Sequence, residues 1–234
     1  MPTHDLRRLR HPARLVAAVL LSFVLAVSTA CGSDDSIIVF AAASLDGHLP
    51  VDGDETTSFA GSDALVAQVL DGAPVDILIT ANAAVAQPVI EQLSPNVVPL
   101  VRNSLAIVVP PGNPGGVDAL ADLADPALTI AVCATEVPCG SATAELPVNI
   151  AADTREPSVR SVLTKIELGE ADVGVVYTTD AAVSSVETLD LLDAPPTVTY
   201  QAMLLSEDEQ AAAYFDWLTS SAQADLVAGG FTAP

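Results

Sequence analysis

The stretch that decides the fold is IIVFAAASL, residues 37–45. Its continuous apolar run is typical of a strand that is covered on both faces of a sheet, and it ends abruptly at Ser44. Eighteen residues later, Ser62 stands at the front of an amphipathic segment that predicts a helix. Helix N-termini leave backbone N–H groups unpaired, and a serine hydroxyl adds a donor beside them. Two such turns predict a pocket that holds a small anion without a positively charged side chain.

Strands and helices alternate along the rest of the chain. Apolar runs predict strands at residues 37–42, 75–80, 104–109, 128–132, 173–177 and 197–204. The segments between them predict helices at residues 63–70, 84–93, 117–123, 159–168 and within 207–228. Such alternation favours mostly parallel sheets that are covered by helices. In sheets of this kind, ligands lie beyond the carboxyl ends of the strands.

The first thirty residues are predicted to be a leader. Four arginines precede an apolar run at residues 15–27, which is too short to cross a bilayer and has the right length for a signal peptide. The sequence STAC that follows resembles a bacterial lipobox, so we predict lipidation of Cys31, with plain secretion as the alternative. We therefore predict a lipoprotein signal peptide at 1–30 and a tether at 31–36. The protein would then be anchored to the extracytoplasmic face of the cell membrane.

The charge of the chain argues against one class of partner. The sequence has 8 Lys and Arg against 30 Asp and Glu, a formal net charge of −22. Because nucleic acid phosphates are bound by clustered lysine and arginine, nucleic acid is not an expected partner. Half of the residues are hydrophobic (50%), which is enough for a substantial core.

Two cysteines beyond the leader, Cys133 and Cys139, lie six positions apart. In an exported protein, a disulfide is the expected state of such a pair. A metal site is the alternative, although no histidine lies nearby in the sequence. For so short a loop, a disulfide would stabilise the fold by about 2 kcal/mol.

Five positions at strand ends and helix starts can donate hydrogen bonds. Ser44 and Tyr177 end predicted strands, and Ser62 starts a predicted helix. The backbone N–H groups of Cys139 and Val159 lie in a tight turn and in the first turn of a helix. Taken alone, each residue has an ordinary structural role as a cap, a strand end or a core residue.

The sequence around these positions resembles a known family. The blocks FAAASL (40–45), SFAGS (58–62), GAPVDILITA (72–81) and VVYTTDA (175–181) are similar, in this order, to signature blocks of the molybdate-binding proteins of ABC transporters. The similarity runs from about residue 36 to the end of the chain. Several collinear blocks make a more specific signal than any one of them alone.

The resemblance implies an α/β fold with two lobes, the type II periplasmic-binding-protein-like fold. Each lobe would be a mostly parallel sheet flanked by helices, and a hinge would join the lobes. We predict residues 37–101 and 199–234 for lobe I and residues 102–198 for lobe II. The resemblance implies that the ligand contacts Ser44, Ser62, Cys139, Val159 and Tyr177. The oxyanion would be held by hydrogen bonds, with no metal ligated directly by the protein and no cofactor.

The resemblance also implies a function. We predict a monomeric solute-binding lipoprotein, not an enzyme, that captures molybdate or tungstate and delivers it to a permease driven by a cytoplasmic ATPase. Three alternatives stay open: a binding protein for another tetrahedral oxyanion such as sulfate or thiosulfate, a secreted hydrolase that uses Ser44 and His48, and an anchored interaction module without a ligand. The chain departs from the family at one place, since only twelve residues separate Leu45 from Ser58 where the family has a helix and a strand. This spacing predicts that the helix is trimmed or lost.

Overall fold

The computed structural model describes residues 36–51, 53 and 55–234. The predicted signal peptide, the predicted lipidation site at Cys31 and residues 31–35 of the tether lie outside the described residues. Within the described part of the chain, none of the helices combines the length and the hydropathy that a bilayer crossing requires.

Strands and helices alternate through the described residues. The strands are β1 Ile37–Ala42, β2 Glu55–Ala60, β3 Ile77–Thr80, β4 Asn96–Val109, β5 Ile130–Cys133, β6 Thr154–Glu156, β7 Val173–Tyr177, β8 Glu187–Leu189 and β9 Thr197–Leu204. The α-helices are α1 Ser62–Leu70, α2 Ala83–Leu93, α3 Pro138–Thr143, α4 Val159–Glu167, α5 Thr178–Ala182, α6 Glu209–Leu218 and α7 Gln223–Ala228. Short 3-10 turns occur at Ala43–Leu45 and Leu120–Ala124.

The strands follow one path that divides into two lobes. Its order is β2-β1-β3-β9-β4-β7-β5-β6, with β8 paired to β4. In lobe I, β2, β1 and β3 pair in parallel, and in lobe II, β7, β5 and β6 do the same. The strands β4 and β9 run antiparallel to their neighbours and to each other, and they join the two lobes. The predicted two-lobed α/β fold is therefore confirmed, whereas the residue boundaries of the lobes remain a prediction.

Both faces of β1 are buried, which explains its apolar sequence. Val39 and Ala41 belong to the large core cluster, whereas Phe40 packs on the other face against Leu65 and Val69 of α1. Burying one such aliphatic or aromatic side chain contributes roughly 1.5–3 kcal/mol. The end of β1 is thus held firmly, and the turn that follows it is placed by this packing.

The segment after β1 is short, as the sequence predicts. Between β1 and β2, the described residues form the 3-10 turn Ala43–Leu45 and no α-helix, whereas the strand is retained as β2. The predicted loss of a helix at this place is therefore confirmed for the described residues.

Other elements differ from the sequence-based prediction. The helix predicted at residues 117–123 is wrong, because the structure has only the 3-10 turn Leu120–Ala124 there. The Asp122 carboxylate accepts hydrogen bonds from the backbone of Asp118 and Ala119, at 2.8 Å each, and so ties this segment into a turn.

The strands β2, β6 and β8 were not predicted. The last two are only three residues long and mostly polar, and β2 reads ETTSFA, without a continuous apolar run. The strand predicted at residues 104–109 is only the second part of β4, which begins at Asn96. Its first part is less apolar and becomes a strand by pairing with β9, a contact that a local pattern does not reveal.

One acidic side chain, Asp180 of α5, is buried with only 1% of its surface exposed. Burial raises the pKa of Asp180 from 3.8 to about 7, and the positive charge of Arg160 offsets this only in part. The Asp180 carboxylate oxygen lies 3.9 Å from Nε of Arg160, at the outer limit of an ion pair. Keeping Asp180 ionised therefore costs the folded protein free energy at neutral pH.

We expect the Asp180→Asn variant to gain stability relative to the parent as the pH rises from 4 to 7. In this window the folded parent retains the Asp180 proton while the unfolded chain releases it, so the parent's free energy of unfolding falls as the pH rises through it. A pKa difference of this size corresponds to roughly 4 kcal/mol. Urea unfolding of both proteins between pH 4 and 9 measures the difference, which should level off about one pH unit above the pKa of Asp180 in the folded protein. A difference that does not change with pH would contradict the prediction.

Candidate ligand-binding site

A pocket lies between the two lobes, at the carboxyl ends of the parallel strands. About 210 Å³ of space between its walls is free of protein atoms, the part open to solvent included. The residues that follow β1, β2 and β3 line it from lobe I, and those that follow β5 and β6 or end β7 line it from lobe II. This is the position at which α/β sheets bind ligands.

All five residues that the sequence predicts as ligand contacts line this one pocket. They are Ser44, Ser62, Cys139, Val159 and Tyr177. The fold therefore brings together positions that are spread over most of the described chain, although their contact with a ligand remains a prediction. No residue of the lining carries a charged side chain.

Ser44 lies in the 3-10 turn after β1 and is almost fully buried. Its hydroxyl oxygen lies 2.5 Å from the hydroxyl oxygen of Tyr200 in β9. Tyr200 in turn packs edge-on against Phe231, with ring centroids 5.6 Å apart, and lies 6.4 Å from Tyr177 by the same measure. Burial raises the pKa of Tyr200 above its ordinary value, so that the phenol stays protonated.

Ser62 is the first residue of α1. Its hydroxyl oxygen accepts a hydrogen bond of 3.0 Å from the backbone N–H of Ala81, which leaves the Ser62 proton available to the pocket. The preceding Gly61 allows the lobes to approach, because a Cβ atom at this residue would lie 2.3 Å from the carbonyl oxygen of Pro157. The contact between Gly61 and Pro157 is one of the places where lobe I touches lobe II.

Two backbone N–H groups of lobe II also reach the pocket. Cys139 is the second residue of α3 and Val159 the first residue of α4, positions whose N–H groups have no acceptor within their own helix. Cys139 forms a disulfide with Cys133, with Cα atoms 5.7 Å apart, so the pair is a disulfide rather than a metal site. The chain around Cys139 packs tightly on the residues after β5, because a Cβ atom at the next residue, Gly140, would lie 1.8 Å from the carbonyl oxygen of Ala134.

Tyr177 ends β7 and is buried beside the pocket. Within the described part of the chain, its hydroxyl oxygen has no hydrogen-bond partner. Burial raises the pKa of Tyr177 well above its ordinary value, so the group remains a hydrogen-bond donor. Leaving a buried hydroxyl unpaired costs about 1–3 kcal/mol, which an acceptor atom of a ligand in the pocket would recover.

Two charged groups that flank lining residues in the chain pair with each other. Arg160 of α4 donates a hydrogen bond of 2.7 Å to the backbone carbonyl of Asp46, and it lies 3.6 Å from the carboxylate of the same residue. Because Asp46 follows β1, this contact also joins the two lobes. Among residues 36–51, 53 and 55–234, no group of three or more His, Cys, Asp or Glu side chains is placed to hold a metal ion.

His48 does not form a catalytic pair with Ser44. The Ser44 hydroxyl bonds to Tyr200, and the His48 ring instead packs edge-on against Phe231 with ring centroids 5.5 Å apart. Burial lowers the pKa of His48, and the charge of Arg160 adds to this effect. The serine–histidine arrangement that a hydrolase would need is therefore not formed by these two residues.

The sequence did not single out Tyr200. It lies within a predicted strand, and no pattern in the chain connects it with Ser44, from which it is separated by 156 positions. The hydrogen bond to Ser44 exists because β9 lies in lobe I next to β3, which pairs with β1.

Known proteins share this fold and parts of this sequence. The molybdate-binding protein ModA of Mycobacterium tuberculosis is 33% identical over 196 residues, which cover 71% of this chain and 74% of that protein. ModA of Mycobacterium bovis matches with the same values. The resemblance inferred from the sequence blocks is thereby confirmed.

Two solved structures superpose closely at low sequence identity, which shows a common fold. The periplasmic molybdate-binding protein of Azotobacter vinelandii matches with a TM-score of 0.67 at 20% identity, over 85% of this chain and 100% of that one. The sulfate-binding protein SubI of Mycobacterium tuberculosis matches with a TM-score of 0.66 at 15% identity, over 84% and 86% of the two chains. Residues 54–232 match the family of bacterial extracellular solute-binding proteins, and the chain belongs to that family.

Proposed function

We propose that this chain is an extracytoplasmic solute-binding protein that captures molybdate, or tungstate, for import by an ABC transporter. The observation that carries the proposal is the uncharged pocket between the lobes, whose lining includes five residues from both lobes that can donate hydrogen bonds. The molybdate-binding relatives support the choice of ligand, since ModA of Mycobacterium tuberculosis is 33% identical to this chain over 196 residues.

Neutral donors suit a tetrahedral dianion. Each hydrogen bond to a charged acceptor contributes roughly 1.5–3 kcal/mol, so several of them can offset the loss of the ligand's water shell. The N-termini of α1 and α4, which begin at Ser62 and Val159, add about half a positive charge each. The many carboxylates of the surface oppose the approach of an anion, but salt screens them beyond about 8 Å.

The second candidate ligand is sulfate. The observation that favours it is the TM-score of 0.66 to the sulfate-binding protein SubI, nearly the same as the value for the molybdate-binding protein of Azotobacter. Sulfate and molybdate have the same charge and shape, so the choice between them rests on the dimensions of the closed pocket.

We propose that the protein releases its ligand unchanged and is not an enzyme. The pocket lining contains no histidine, lysine or carboxylate that could act as a general base or acid. Neither pocket serine is hydrogen-bonded to a general base, since the Ser44 hydroxyl pairs with Tyr200 and the Ser62 hydroxyl accepts from the Ala81 N–H.

We further propose that a lipid on Cys31 anchors the mature protein to the membrane, where it docks as a monomer on the permease of the transporter. Lobe I would comprise residues 37–101 and 199–234, and lobe II residues 102–198. The irregular register between Pro99 and Arg102 in the β4–β9 ladder supports a hinge at the first of these boundaries.

Calorimetry of the purified protein with four anions tests the function. We expect molybdate and tungstate to bind with micromolar or tighter affinity, and sulfate and phosphate to bind much more weakly. Equal affinity for sulfate and molybdate would make sulfate the better assignment. The absence of molybdate and tungstate binding would remove the proposal.

The Ser62→Ala variant should bind molybdate more weakly by about 1–3 kcal/mol, because it loses a donor to a charged acceptor. Calorimetry gives the change in affinity, and thermal unfolding of the ligand-free variant reports any loss of the Ser62–Ala81 bond. The matched control is Ser220→Ala, whose exposed hydroxyl bonds to the Asp216 carbonyl outside the pocket lining. Unchanged affinity of the Ser62 variant would mean that Ser62 serves the fold alone.

The Gly61→Ala variant tests the closure of the lobes. At the lobe separation of this structure, its Cβ atom would lie 2.3 Å from the Pro157 carbonyl oxygen, so the lobes must stay further apart in the variant. We expect weaker molybdate binding and, by small-angle X-ray scattering with saturating ligand, a larger radius of gyration than that of the parent. If the variant binds and compacts as the parent does, the contact between Gly61 and Pro157 does not limit closure.

A further inference from the structure

We propose that Tyr200 is a positioning residue that directs the proton of Ser44 into the pocket, as the first member of a hydrogen-bond relay from Tyr200 through Ser44 to a ligand. The inference rests on the proposed function, because it states how the oxyanion site orients one of its donors. Tyr200 itself does not line the pocket.

The geometry places Tyr200 behind Ser44. Their hydroxyl oxygens lie 2.5 Å apart, and both residues are almost entirely shielded from solvent. Ser44 lines the pocket and Tyr200 does not, so the phenol contacts Ser44 from the side away from the ligand. A hydroxyl group has one proton, and the Ser44 proton is either given to Tyr200 or left for the pocket.

The relative acidity of the two hydroxyl groups decides which of them donates. A phenol is a stronger acid than an aliphatic alcohol and is therefore the better donor in a phenol–alcohol pair. Tyr200 keeps its proton over the physiological pH range, since burial raises its pKa. Tyr200 thus donates to Ser44, and the Ser44 proton is free to point at an acceptor in the pocket.

Ser62 has the same arrangement with an unambiguous donor. The backbone N–H of Ala81 donates to its hydroxyl oxygen at 3.0 Å and cannot accept the Ser62 proton. Each of the two pocket serines therefore accepts a hydrogen bond from within the protein, and its own proton is available to an acceptor in the pocket. A hydroxyl that accepts one hydrogen bond donates a second one more strongly, which favours a ligand that can only accept.

The Tyr200→Phe variant tests the relay, because it removes one oxygen atom and keeps the ring that packs against Phe231. We expect the dissociation constant for molybdate to rise roughly three- to tenfold, since Ser44 loses its orientation. In a Ser44→Ala background, the same change at Tyr200 should leave the dissociation constant within about twofold of the value for Ser44→Ala alone. The matched control is Tyr214→Phe, which removes a hydroxyl that bonds to the Pro50 carbonyl outside the pocket lining and should not change affinity.

The outcomes separate this inference from the proposed function. If Ser44 donated to Tyr200 instead, removal of the phenol would free its proton, and Tyr200→Phe would bind molybdate as tightly as the parent or more tightly; that result overturns the inference alone. Equal losses on Tyr200→Phe with and without the Ser44 hydroxyl would also overturn it, since Tyr200 would then act through packing. A parent protein that binds no oxyanion overturns both the proposed function and the inference.

Discussion

The antiparallel pairing of β4 with β9 is the constraint on which the rest of the structure depends. The two strands pair from Asn96 to Ser104, and each also pairs with a parallel strand of a lobe, β3 on one side and β7 on the other. Because the parallel strands of both lobes end at the same cleft, the turns that follow them face each other. The same pairing brings Tyr200 of β9 behind the pocket.

The charges of this acidic protein are kept out of the pocket lining. Arg160, which follows the lining residue Val159 in the chain, pairs with Asp46 and lies at the outer limit of an ion pair with Asp180. The pocket lining is uncharged, so recognition of an anion depends on hydrogen bonds whose donors are fixed in place. This arrangement requires that the orientation of each hydroxyl proton is itself controlled, which the donors behind Ser44 and Ser62 accomplish.

The short segment after β1 changes how Ser44 is supported. Ser44 lies in a 3-10 turn of three residues and has no α-helix of its own behind it, unlike Ser62 at the start of α1. The Ser44 hydroxyl is hydrogen-bonded to Tyr200, whereas the Ser62 hydroxyl accepts a hydrogen bond from the backbone N–H of Ala81. In this way a side chain from a distant strand takes the role that local backbone has at the other serine.

The sequence by itself determined the alternation of strands and helices and the apolar strand β1, because these features depend on local periodicity; the five donor positions came from short motifs and remain predictions. It misjudged residues 117–123 and missed β2, β6, β8 and the first part of β4, whose conformations depend on side-chain contacts or pairing partners rather than on their own pattern. Only the tertiary structure decided that the five positions share one pocket, that Gly61 must lack a side chain and that Tyr200 stands behind Ser44. These are contacts between residues far apart in the chain, and no local pattern encodes which strand ends will meet.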